Sequence, residues 1–150
     1  MSIEKDEDAK LLAVRNQIDS IDEEIARLIA ARAECAQTVA EVKKASLPAG
    51  AEIVFYRPER EAQVLRKVME RNKGPLSDEE MARLFREIMS ACLALEYPIK
   101  VAYLGPEGTF TQQAALKHFG QSAVAMPFFA IDEVFREVEA GAVNYGVVPV

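Results

Sequence analysis

A positive charge stands where the surrounding pattern calls for an apolar side chain. Between Asp8 and Ala45 the residues Val14, Ile18, Ile21, Ile25, Leu28, Cys35, Val39 and Val42 recur in alternating steps of four and three, the spacing of a helical seam. The slot between Leu28 and Cys35 is Arg32. A guanidinium among apolar side chains is destabilising unless an anion meets it. A buried Arg–Glu pair or a register-setting polar residue would satisfy it, and so would a ligand. Lys43 favours the ligand: it lies about 20° from Arg32 around a helix, on the same face. Two cations on one inward face suit a doubly negative guest. Arg15 lies about 25 Å back along the same helix and off that face, so within one chain it cannot join them. In an antiparallel dimer, Arg15 of one protomer could arrive at the pocket of the other.

More charge follows. Arg60 and Glu61 precede the apolar stripe Val64, Leu65, Val68 and Met69 by one helical turn, which places them inward or at a core margin. Glu59 and Glu61 also suit the positive end of a helix, a reading that leaves Arg57 and Arg60 unexplained. Further on, Cys92 and Glu96 stand four apart on one apolar face, although a frayed helix end would equally place Glu96 in solvent. The run Gly105-Pro106-Glu107-Gly108-Thr109-Phe110-Thr111 puts glycines and hydroxyls at a helix start, a plausible anion cradle that any tight turn could imitate.

These residues need three helices and then a small α/β lobe. The first helix is predicted from about Asp8 to Ala45, about 57 Å long, too long to be covered by a domain of this size, so a partner chain is implied. Ser46 to Tyr56 reads as a loop by its Pro and Gly. A second helix starts at Pro58 and runs to about Asn72, stopped by Lys73-Gly74-Pro75. Ser77 with Glu80 forms a capping box for a third helix ending near Tyr97, with Met81, Leu84, Phe85, Ile88, Met89, Cys92 and Leu95 on its stripe. Texture changes at Pro98. Strand 101–104, helix 109–118, strand 123–128, helix 132–140 and strand 144–150 alternate as βαβ units of a parallel sheet. The predicted division is an all-α three-helix domain over 8–97, forming an intertwined helical dimer, and an incomplete α/β lobe over 99–150.

Composition narrows the partners. Against 24 acidic residues stand 18 basic ones, a formal net charge of −6, which speaks against nucleic acid. Two cysteines without a CxxC pair, and one histidine, His118, speak against a metal site. Both thiols are expected to be small buried groups in a reducing compartment. The acidic start has no apolar signal core, and no run is long enough to span a bilayer, so a cytoplasmic protein without membrane contact is expected. His118 is expected at a helix surface or core margin, without a role.

In this order, LLAVRNQIDSIDEEIARLIAAR, FYRPEREAQVL and REIMSACLALE resemble the all-helical chorismate mutases. YLGPEGTFTQQAA and NYGVVPV resemble the opening of prephenate dehydratases, and the pairing resembles bifunctional P-proteins, which make phenylpyruvate on the way to phenylalanine. The resemblance implies roles. Arg15 would cross from the partner subunit to a carboxylate of chorismate, with Arg32 and Arg60 on its other charged groups. Lys43 would donate to the ether oxygen, Glu61 would bind the ring hydroxyl, and Glu96 would supply a second donor to the ether oxygen. Cys92 stands where a serine is common, and Arg57 receives no role. Gly105, Pro106, Gly108, Thr109, Phe110 and Thr111 would line a prephenate pocket, with no dehydratase activity expected from this stretch alone. The rearrangement implied needs no cofactor or metal. A helical dimerisation module without catalysis of its own is the competing reading, and the charged seam position speaks against it.

Overall fold

The computed structural model describes residues 2–48 and 56–150; most of the predicted loop between Ser46 and Tyr56 lies outside them. By packing, the chain divides into two compact units, residues 1–35 and 36–150.

Helix α1 (Ser2–Ser46) starts six residues before the predicted Asp8. The extra turns are polar, with Glu4 at the positive end of the helix and an Asp6–Lys10 ion pair of 3.0 Å at i,i+4 spacing. The seam is uncovered. Val14, Ile18, Ile21, Ile25 and Leu28 are each about half exposed, between 48% and 52%. Cys35, expected to be buried, is exposed, because it belongs to this same uncovered seam.

Within the second unit, α2 (Pro58–Arg71) and α3 (Asp78–Glu96) form a helical hairpin. Pro58 opens α2, where its missing N–H leaves nothing unsatisfied. The connection is clamped by Asn72, whose Nδ2 donates to the Leu76 carbonyl and to Asp78 Oδ1, both at 2.8 Å. Ser77 caps α3, its hydroxyl accepting from the Glu80 N–H at 3.1 Å, while the Glu80 carboxylate pairs with Arg83 at 2.9 Å. Leu65 and Cys92 are buried. Leu84 and Leu95, placed on the predicted apolar stripe, remain 41% and 55% exposed.

The lobe follows the predicted alternation: β1 (Lys100–Leu104), α4 (Phe110–Phe119), β2 (Val124–Phe128), α5 (Ile131–Glu139) and β3 (Tyr145–Val147). All pairings are parallel, in the order β2-β1-β3, with Val101 facing Ala125 on one side and Tyr145 on the other. The third strand ends at Val147 rather than Val150. Pro149, which has no N–H to give a ladder, falls in that tail. Alternation along β1 sends Val101 to one face, against Ile99 and Ala115, and Ala102 to the other, against Val134 and Val143. The sheet is thus covered by helices on both faces, and the middle of β1 is closed off from solvent on either side.

α3 also meets the lobe. The Ser90 hydroxyl donates to the Phe119 carbonyl at 2.8 Å, and Glu87 Oε2 accepts from the Gln121 N–H at 3.1 Å. Gly120 lies between them at φ +86°, and a Cβ there would stand 2.3 Å from Ser90. Only glycine fits this contact, on both conformational and steric grounds.

Candidate active site

The first turn of α2 carries Glu61 into the hairpin. The Arg57 carbonyl accepts from the N–H groups of Arg60 and Glu61, each at 3.1 Å, so the helix is closed from its first residues. The Glu61 side chain is mostly buried, and its Oε1 lies 3.5 Å from Nε of Arg86 on α3. Arg86 Nε is itself buried without a hydrogen bond, so this contact is an ion pair only. Tyr56 stands two residues before α2, with its hydroxyl 3.5 Å from Nε2 of His118. Burial first, then the charge of Glu61 and its hydrogen-bonding contact, raise that phenol well above its ordinary pKa.

The other predicted residues are distributed along the two units. In the second, Lys43 and Glu96 are half-buried, Cys92 is buried and Arg60 is exposed. Arg57 is exposed as well and pairs loosely with Glu59 at 3.8 Å. In the first, Arg32 is half-buried, while Arg15 is exposed. Arg60 and Glu61, both expected inward or at a core margin, therefore separate: about 100° apart around the helix, the carboxylate is largely covered and the guanidinium exposed.

Arg86 and Tyr56 are the residues that sequence reasoning missed. Arg86 lies off the apolar stripe expected for α3. It stands four residues before Ser90 and seven before Leu93, the face of α3 that meets the lobe, and that second periodicity was the available signal.

At the start of α4, Thr111 donates to the Leu104 carbonyl at 2.6 Å and Thr109 to the same carbonyl at 3.3 Å. Gln112 Oε1 accepts from the Gly108 N–H at 2.6 Å. The hydroxyls of the predicted cradle are thus engaged in holding their own turn against β1. A Cβ on Gly105 would stand 2.9 Å from Pro127, so this strand end requires glycine for close packing. Phe110 is 88% exposed. His118 is exposed on α4, stacked edge-on against Phe119. No group of His, Cys, Asp and Glu among the described residues could hold a metal ion, and no described helix is long and apolar enough to cross a membrane.

The chain belongs to the type II chorismate mutases, whose family pattern matches residues 14–97. It is similar to a solved chorismate mutase (form II) from Thermus thermophilus, with 33% sequence identity and a TM-score of 0.51, covering 58% of this chain and 93% of that one. The prephenate dehydratase pattern matches residues 101–150. Two relatives named bifunctional chorismate mutase/prephenate dehydratase carry both parts. One, from Stutzerimonas stutzeri, is 70% identical over 141 residues, and the other, from Pseudomonas aeruginosa, is 67% identical over the same length. Each match covers 94% of this chain and 39% of the relative, so the chain spans about two fifths of the length of these relatives.

Proposed function

We propose that this chain rearranges chorismate to prephenate in a cytoplasmic homodimer whose two sites are shared between protomers. This would be the first activity of a bifunctional chorismate mutase/prephenate dehydratase in phenylalanine biosynthesis. The mutase domain is assigned to residues 8–97 and the opening of the dehydratase domain to 99–150. The observation that carries the reading is Arg32, half-buried in a line of apolar residues that a single chain leaves about half exposed. A second copy laid along that line would bury it and enclose the cation, and an enclosed guanidinium needs an anion.

The rearrangement is unimolecular, so the site has two tasks. It must fold a flexible dianion into its reactive shape, and it must stabilise the charge that separates as the C–O bond breaks. Arg15 from the partner subunit, Arg32 and Arg60 serve the first task, because guanidinium forks fix planar carboxylates two hydrogen bonds at a time. Arg60, exposed in the single chain, would turn inward onto the bound dianion. Glu61 accepts from the ring hydroxyl. Lys43 and Glu96 serve the second task as donors to the ether oxygen, where they act more strongly on the transition state than on the ground state. Cys92, one helical turn before Glu96 on α3, would stand at the same substrate-facing side. A carboxylate cannot donate, so Glu96 must act as the acid. The mutase rate should then decline as pH rises, and Glu96→Gln should flatten the profile; a wild-type rate level from acid to alkaline pH would remove this role.

The dehydratase candidates Gly105, Pro106, Gly108, Thr109, Phe110 and Thr111 are proposed to meet prephenate only within a complete dehydratase domain. The deciding experiment is the loss of chorismate absorbance. The purified chain should consume chorismate and accumulate prephenate without releasing phenylpyruvate. An inert chain that still dimerises would leave a purely structural helical module instead.

A further inference from the structure

Glu61 meets a cation inside its own protomer. Its Oε1 lies 3.5 Å from Nε of Arg86, and the pair is largely covered, with the two side chains 18% and 30% exposed. Fully exposed ion pairs are screened by water and salt, whereas a covered pair is screened much less. The Arg86 Nε–H is buried and makes no hydrogen bond, so the carboxylate beside it is the electrostatic compensation for its burial. Helix α3 is fixed around this turn. Glu87, the next residue, accepts from the Gln121 N–H at 3.1 Å, and Ser90, one turn on, donates to the Phe119 carbonyl at 2.8 Å. The turn that carries Arg86 is thereby tied to the dehydratase lobe on one side, while α2, which carries Glu61, packs against α3.

We propose that Arg86 is a positioning residue of the mutase site, which holds one oxygen of Glu61 so that the other is presented to the substrate's ring hydroxyl. The inference rests on the mutase reading and on the role given there to Glu61. The last torsion of a glutamate is broad, so an unheld carboxylate offers its oxygens in many directions. A guanidinium anchored on a second helix removes that freedom before the substrate arrives. A carboxylate accepts at both of its oxygens. With Oε1 drawn to Arg86, Oε2 keeps acceptor capacity for the substrate's O–H. A pair that merely braced α2 against α3 would, when broken, weaken every ligand alike. A pair that aims Glu61 acts only on ligands that carry the hydroxyl. Arg86 is assigned no contact with the breaking C–O bond, so its contribution is to binding and not to the chemical step.

The test is Arg86→Met in the whole chain, which keeps an unbranched stem and removes the charge. It is expected to raise KM for chorismate about tenfold while leaving kcat within about twofold. Inhibition by a dicarboxylate analogue that lacks the ring hydroxyl should be unchanged, which also shows that the variant is folded. Arg86→Lys keeps a cation without the guanidinium fork and should recover part of the lost affinity. In a Glu61→Gln background, Arg86→Met should add nothing further, because the cation then has no carboxylate to hold. Should Arg86→Met fail to fold, Arg86→Lys carries the same comparison: a smaller rise in KM for chorismate and none for the analogue. An unchanged KM in Arg86→Met, equal weakening of chorismate and the analogue in either variant, Arg86→Lys no better than Arg86→Met, or full additivity with Glu61→Gln would each overturn the proposal. An unchanged KM in Glu61→Gln alone would instead defeat the role given to Glu61, and absence of chorismate turnover by the wild-type chain would defeat the mutase reading; either would take this inference with it.

Discussion

Helix α1 and strand β1 carry apolar patterns of comparable strength and meet opposite fates. In β1, Val101, Ala102 and Tyr103 are 1%, 0% and 0% exposed, enclosed by α4 on one face and α5 on the other. In α1, five successive seam residues keep about half of their surface in contact with water. The difference lies in where the covering surface comes from. The strand's cover is encoded within the next fifty residues, whereas the helix has its seam spread over a rod about 68 Å long, which no nearby element can clothe. An apolar stripe that one chain leaves bare marks a contact with another molecule. The charge set within the stripe then tells an active interface from a merely adhesive one.

Breaking the comparison from the helix side should have the largest effect. Ile25→Asp places a charge in the seam and should dissociate the proposed dimer, with loss of the proposed mutase activity at all practical concentrations, as followed by sedimentation and chorismate consumption. A monomer that remains fully active would end the shared-site account. Next, Arg32→Ala should lower kcat/KM by about a thousandfold or more, since it removes a charged partner from an enclosed dianion. Arg15→Ala should behave similarly, yet a mixture of the two variants should regain roughly a quarter of the wild-type activity, because half of the dimers then carry one intact site. No recovery in heterodimers shown to have formed would argue that each site belongs to one protomer.

From the strand side the expected effect is smaller and independent of concentration. Val134→Ala opens a void against Ala102 and should destabilise the lobe by about 2 kcal/mol in denaturant titrations, at any protein concentration. A midpoint that moved with dilution would mean that the lobe, too, is completed by a second chain. The smallest change belongs to neither region: Ser77→Ala should cost about 1 kcal/mol by removing the cap of α3, read as a shift in the hairpin's melting.

Much of this is legible in the residues themselves. The 4–3 steps from Val14 onward, Pro58 at a helix start, Ser77 as a cap and the strand–helix alternation after Pro98 all translate into structure, because each is a local rule of backbone geometry. What is less legible depends on tertiary contact or on pairing along the surface. α1 begins six residues before its predicted start, because a polar run without apolar periodicity can still be helical when its charges pair along the helix. Residue type points Cys35 inward, since cysteines are usually buried, and its position in an uncovered seam decides otherwise. Arg86 shows in the sequence only as a second periodicity on α3, and Tyr56 not at all, because their contacts are with a partner 25 residues away in one case and with a separate lobe in the other. Periodicity locates a face and does not name what lies opposite it.

The unbroken length of α1 has a further consequence. Arg15 and Arg32 ride on one continuous shaft, so their angular phase is locked by every residue between them. Inserting a single residue near Ile21 would turn one end against the other by about 100°, swinging one cation out of alignment while every side chain stays chemically intact. Seven inserted residues would nearly restore the angle but shift the two charges about 10 Å further apart. Such a protein can therefore tolerate exchange of its surface residues far more readily than any change in the number of residues between its two arginines.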